Sequence, residues 1–361
     1  MTVYRKDVYC EFEFLKEFRD SYVHFHFLPF VDNRAEKVWR NVSDFILKSH
    51  LMLDISVQTF KKMTRNDNVL LYLWKQVTGG SYEISFVNEH NVKSVENLIT
   101  KQEGLDKVYL LAKQDDICKE LAEQYGVVVL SPTCWQSNEM AKKYDYLFRD
   151  CGSPISREEA FEWRGILRSE YNLSNCNSMI IIDNYIHENT KQNLLPIIDV
   201  ILPKSLRDIT FHLTIFTLLD KDNKVKYDKM YNDIVQRIKE TKPELKCEVE
   251  LYVLNRTPPK ETKQWRFHDR TILTNNVAIG SGAGFSLLDN NNKPVNITDV
   301  RILHPGIQNC SDACDQTCIN LIENAKTIVK KIENCGYGKH YPKESSCKNR
   351  LILKHPDIKE L

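Results

Sequence analysis

Residues 107–132 constrain the fold more than any other stretch. Lys107-Val-Tyr-Leu-Leu-Ala is an apolar run of strand length, and Asp115-Asp116 opens a helical stretch that stops at Gly126. Val127-Val-Val-Leu-Ser-Pro is a second apolar run. Two strands separated by a helix cannot close as a tight hairpin. The helix returns the chain to the side from which the first strand started, so the strands lie parallel. A parallel sheet needs cover on both faces, which commits this part of the chain to α/β layers. The acidic pair then sits at the carboxyl end of a strand, the edge where open α/β sheets bind ligands. An aspartate at this position also suits the cap of the helix that follows.

The same alternation extends along the chain. Val8-Tyr-Cys and Tyr82-Glu-Ile-Ser-Phe-Val have strand character, and Ala35 to Leu51 and Val92 to Thr100 have helical spacing. In the second half, Ser178-Met-Ile-Ile-Ile-Asp is an apolar run of the kind found in central parallel strands. Residues 208–217 and 247–254 are further strands, 157–171, 187–195 and 227–240 are helical, and Asp312 to Glu333 is a long final helix. The expected fold class is α/β in two domains, each with a mostly parallel sheet flanked by helices. With 361 residues the chain is long enough for two cores. Arg149-Asp-Cys-Gly-Ser-Pro-Ile-Ser has linker composition. It divides the chain into an α/β domain at 1–151, a second at 152–335 and an irregular tail at 336–361.

With 50 Lys and Arg against 49 Asp and Glu, the net charge is +1. That excludes a uniformly basic nucleic-acid-binding surface and leaves room only for a local one. No apolar run approaches the roughly 20 residues that span a bilayer, and the first residues lack a signal-peptide core. The expectation is a soluble, cytoplasmic protein with no membrane association. Eleven scattered cysteines, an odd number, are expected to be mostly reduced thiols. Cys310, Cys314 and Cys318 recur every four residues, which suits one helix face in a core better than a metal site. His24-Phe-His26 places two imidazoles on one face if the segment is a strand. The abundance of Asn, Lys and Ile fits an AT-rich, bacterial coding sequence.

The stretch from Trp265 to Gly282 carries the clearest chemistry. It holds His268 and Arg270 two residues apart, an Asn275-Asn276 turn, and the bend Gly280-Ser281-Gly282. On a strand, residues two apart project to the same side. An imidazole and a guanidinium would then stand together beside glycines that admit a ligand to the backbone. A hairpin with a solvated charged face gives the same pattern. This segment resembles the phospholipase D-like superfamily, whose signature is His, any residue, Lys, four residues, Asp, then a Gly-Ser bend. Here the matching residues are His268, Arg270, Asn275 and Gly280-Ser281, and Ile180-Ile-Ile-Asp-Asn-Tyr is similar to the opening strand of such domains. The resemblance covers residues 155–335. It implies phosphodiester chemistry with His268 as nucleophile or acid, Arg270 as phosphate clamp, Ser281 and Asn275 on the phosphate, and no cofactor. Arg270 in place of lysine and Asn275 in place of an acid depart from the signature. With no second motif in the chain, a complete site needs a homodimer or a partner protein. A branch of the superfamily that only binds phosphate groups fits the same departures.

The first half resembles, more faintly, PIN-type nuclease domains, through the strand ending at Glu11 and the βαβ unit around Asp115 and Asp116. The resemblance implies that Glu11, Asp115 and Asp116, with Glu36, hold Mg²⁺ or Mn²⁺. Together the two resemblances imply a nuclease or phosphodiesterase, a hydrolase acting on DNA or RNA. By analogy its role is bacterial antiviral defence. The alternative is a non-catalytic phosphate-binding or assembly module.

Overall fold

The computed structural model describes residues 6–26, 33–64, 84–87, 94–101, 104–149, 151–156, 161–222, 224–257, 270–295, 297–307, 312–343 and 345–353. His268, Trp265, Cys310 and the apolar run 69–74 lie outside the described residues. The chain divides into two compact units, residues 1–149 with 306–312, and 150–305 with 313–361.

In the first unit, β1 (Asp7–Glu11), β2 (His50–Asp54), β3 (Ile84–Phe86), β4 (Val108–Leu110) and β5 (Val128–Leu130) form one sheet in the order β3-β2-β1-β4-β5. All four pairings are parallel. The helices include α1 (Phe12–His26), α2 (Asn33–Lys48), α3 (Val57–Thr64), α4 (Val95–Ile99), α5 (Asp115–Tyr125) and α6 (Asn138–Asp145). The βαβ unit read from residues 107–132 is β4-α5-β5. Gly126 ends α5 in the left-handed region at φ 61°, a conformation that costs glycine nothing. The two buried faces of the sheet follow from strands such as β4 and β5, in which every residue is buried.

One expectation fails here. Residues 24 and 26 belong to α1, not to a strand. Two positions on a helix are about 200° apart around its axis, so the paired-imidazole reading falls with the strand. The aromatic and charged residues of this segment recur at helical rather than alternating spacing, with Phe14 and Phe18 stacked at 5.6 Å.

The second unit is built on eight strands: β6 (Cys151–Ile155), β7 (Ser178–Ile182), β8 (Phe211–Leu218), β9 (Cys247–Leu254), β10 (Thr271–Thr274), β11 (Ala278–Ser281), β12 (Thr298–Leu303) and β13 (Gly338–Tyr341). Their order is β13-β9-β8-β7-β10-β11-β12-β6. Only β7-β8 and β8-β9 are parallel; the other five pairings are antiparallel. The α/β class stands, but this sheet is mixed rather than mostly parallel. The parallel part has the helices α8 (Leu194–Ile201) and α9 (Tyr227–Thr241) as crossovers, whereas β10 and β11 are joined by the two-residue turn Asn275-Asn276, which forces antiparallel pairing. The shorter helix α7 (Trp163–Ile166) stands where a long one is expected over 157–171, and residues 187–193 form turns ahead of α8.

The segment with linker composition is β6 itself, paired with β12 at the edge of this sheet. Pro154 suits such a strand, because an edge position leaves one row of backbone groups unpaired. Nor is the tail irregular over its described residues, which end at 353. α10 (Asp312–Cys335) packs Leu321, Ala325, Ile328 and Ile332 onto the sheet, β13 pairs with β9, and α11 (Arg350–Leu353) contributes Ile352 to the same core. Cys318 is half-buried against that cluster. The nine described cysteines are all free thiols. Among the described residues no helix is long and apolar enough to cross a membrane.

Candidate functional site

Both sheets reverse their winding beside their first parallel strand. In the first unit the chain builds outward through β2 and β3, then crosses to the far side of β1 to add β4. In the second it builds β8 and β9 on one side of β7 and then crosses to add β10 on the other. Such reversals leave a crevice at the carboxyl end of the strands. Each crevice here holds a buried carboxylate that accepts a backbone N–H from the far side. Glu11 Oε2 accepts the Ala112 N–H at 2.7 Å, and Asp183 Oδ2 accepts the Phe285 N–H at 2.5 Å.

At the second crevice, Asp183 follows the last residue of β7 and is 1% exposed. Its other oxygen accepts the Tyr185 N–H at 2.8 Å. Burial pushes its pKa up, against the opposing pull of the two N–H donors and of the Arg270 charge. Thr271 pairs with Ile182, so the start of β10 brings Arg270 to this corner. The Arg270 guanidinium lies 5.7 Å from the centroid of the Tyr185 ring, and its Nη1 donates to the Gly282 carbonyl at 3.1 Å. Gly284 closes the corner at φ +88°. A Cβ there would come within 2.7 Å of Arg270 Cδ and 2.9 Å of Asp183 Oδ2, so only glycine fits.

From this corner a groove of about 570 Å³ opens beside the bend Gly280-Ser281-Gly282, with Arg270 and Arg301 on its walls. The Arg270 Nε atom is buried without a hydrogen-bond partner. Among the described residues no ion pair joins either arginine to a carboxylate. Two guanidinium groups on one groove offer donors to an anion, with the Asp299 carboxylate on the same wall.

The sequence-predicted residues divide on this map. Arg270 reaches the groove. Ser281 borders it, but its hydroxyl donates to the Gly284 carbonyl at 2.6 Å and so closes the bend internally. Asn275 sits at the opposite end of β10, where its Oδ1 accepts the Asn177 N–H at 2.9 Å. Arg301 and Asp299 belong to no pattern read from the sequence, and Asp183 figures there only as the acid that ends an apolar run, without a site role. Asp183 ends the apolar run 178–182, and Thr298-Asp-Val-Arg-Ile alternates polar and apolar residues as an exposed-face strand does.

In the first unit the structure aligns Glu11 with Asp54 at adjacent strand ends; each is 6% exposed, and Asp54 accepts the Tyr9 hydroxyl. Asp115 does not cap α5, whose N-cap is Gln114. Instead it accepts Lys143 Nζ at 3.0 Å and the Tyr144 hydroxyl at 2.5 Å. Asp116 is exposed, and Glu36 pairs with Arg40 one turn along α2. Among the described residues no group of three His, Cys, Asp or Glu is placed to hold a metal ion.

A histidine beyond the motif also lies at the second carboxyl edge. His187 is 6% exposed, its Nδ1 is 2.9 Å from the Thr217 hydroxyl, and its ring meets Tyr227 edge-on at 5.9 Å. Burial pushes its pKa down to about 4, and the Arg256 charge acts in the same direction. A base whose folded pKa is depressed contributes stability above its unfolded value, near 6.5, and loses it as the pH falls through about 4. Replacing His187 by Gln should therefore flatten the loss of stability between pH 7 and pH 4, by up to about 3 kcal/mol. Urea denaturation of both proteins at the two pH values checks this; parallel pH profiles would contradict it.

No family model and no curated protein matches the chain.

Proposed function

We propose that the second unit binds the phosphodiester backbone of nucleic acid, and that Arg270 is the residue that meets the phosphate. The observation that carries this reading is the convergence of Arg270 and Arg301 on a groove beside a glycine bend, without an ion pair among the described residues. A guanidinium fixed by a backbone carbonyl and an aromatic ring retains further donors for a phosphate's oxygens. The near-neutral charge of the chain makes this a local site rather than a basic face. The test is titration of a labelled single-stranded oligonucleotide followed by anisotropy. Arg270→Ala should weaken binding by about 10- to 100-fold, the value of one to two charge-assisted hydrogen bonds. Equal affinity in the variant would overturn the reading.

A second reading is hydrolysis, a phosphodiesterase or nuclease with His268 as nucleophile. It is favoured by the spacing that sets His268 two residues before the arginine at the groove. Purified protein should then cleave labelled DNA or RNA in EDTA and lose that cleavage in His268→Ala. Cleavage that requires Mn²⁺ and is lost in Asp115→Ala/Asp116→Ala would move the chemistry to the first unit. Binding without cleavage in any of these conditions leaves the phosphate-binding module as the function.

A further inference from the structure

We propose that the groove beside Arg270 is a ribonucleotide subsite, in which Arg301 meets a phosphate and Asp299 accepts the 2′-hydroxyl of the adjoining sugar. The inference rests on the phosphate-binding reading of Arg270. The strand register sets out the groove. Thr271, Gly280 and Arg301 form one cross-strand row, and Ser281 pairs with Val300, which brings Gly282 opposite Asp299. Arg301 and Asp299, two apart on β12, are both exposed and lie on one face of the strand. Each therefore stands across from a glycine. A side chain at Gly280 would meet nothing within 4 Å, so the floor there is open backbone. The next row inward, Leu273, Ala278 and Leu303, is closed by the core under α10. The groove is thus blind at its apolar end and open where the charges are.

The mixed charge decides the ligand. A carboxylate on the wall of an arginine groove repels a bare phosphate or a polyphosphate. It becomes favourable when the ligand presents a hydrogen-bond donor beside its phosphate, because a carboxylate is an acceptor only. A ribose hydroxyl is such a donor, and it is the group by which a protein distinguishes RNA from DNA. A deoxyribose leaves the Asp299 carboxylate facing the phosphates with no donor between them.

The experiment compares binding of 5′-labelled octamers of uridine and of deoxyuridine to the full chain by fluorescence anisotropy. The wild type should prefer the ribo strand by about tenfold. Asp299→Ala, at an exposed position, should bring the two strands to equal affinity. Arg301→Ala should weaken both alike and lower the salt slope by about one, and Gly280→Val should weaken both by filling the floor. Equal affinity of the wild type for the two strands, or a ribo preference that survives Asp299→Ala, would overturn the inference while leaving the Arg270 reading in place. Binding of neither strand would remove both.

Discussion

Replacing Asn349 by leucine should destabilise the second unit by about 3–5 kcal/mol, a drop in melting temperature on the order of 10 °C. Asn349 is fully buried, and its side chain is satisfied from every side. Its Nδ2 donates to the Met179 carbonyl at 3.0 Å and to the Thr214 hydroxyl at 3.0 Å, and its Oδ1 accepts the Ser178 hydroxyl at 2.9 Å and the Leu351 N–H at 3.1 Å. It thereby pins the C-terminal segment across β7 and β8. Glu250 on β9 reinforces the same seam, accepting the Lys348 N–H at 2.6 Å and the Thr214 hydroxyl at 2.8 Å. Leucine has the branched skeleton of asparagine but bulkier ends and no donor or acceptor, so the substitution strands buried polar groups on two strands and on the segment itself. Urea denaturation followed by far-ultraviolet circular dichroism measures the cost. A loss below 1 kcal/mol would show that the segment is a dispensable tail.

Asp183→Ala is expected to cost a similar amount, about 3–5 kcal/mol, and to disorganise the groove as well. The carboxylate holds the N–H groups of Tyr185 and Phe285, and it faces the stem of Arg270 across Gly284. Removing it leaves two N–H groups without their acceptor in a place closed to water, and an arginine without its nearby counter-charge. Asp183→Asn keeps one acceptor oxygen and should lose about half as much. It should nevertheless tighten oligonucleotide binding, since a carboxylate that repels phosphate beside Arg270 is then gone. Denaturation curves for the two variants, set beside their oligonucleotide affinities, test both statements. Full stability with intact binding in Asp183→Ala would mean that the crevice is not organised around this carboxylate.

How far the sequence reveals this architecture depends on what each residue pattern encodes. Apolar runs such as 178–182 and 107–112 report burial on both faces, and they gave β7 and β4 with the right class of fold. They do not report strand direction, which is set by the connection. Where that was visible, as at Asn275-Asn276, the hairpin was legible. Where a strand is amphipathic and follows a long loop, as β12 does, it goes unread together with Asp299 and Arg301. The C-terminal segment read as irregular because its anchoring residues, Asn349 and Cys347 among them, are polar or small. Their burial is made favourable by Glu250, Thr214 and Ser178, partners 97 to 171 residues away in sequence. No local pattern carries such pairing. Of the candidate site, Arg270 and the glycine bend were readable from spacing. The roles of Ser281 and Asn275 were not, since their hydrogen bonds to Gly284 and Asn177 depend on how the hairpin docks.

The most direct test of phosphate binding at Arg270 is the salt dependence of oligonucleotide affinity, because each phosphate neutralised by the protein contributes close to one unit to the slope of log K against log salt concentration. Wild type and Arg270→Ala should both give straight lines between about 50 and 200 mM salt, with the variant shallower by about one unit. Parallel lines would place the phosphate contact elsewhere and contradict the assignment of this groove.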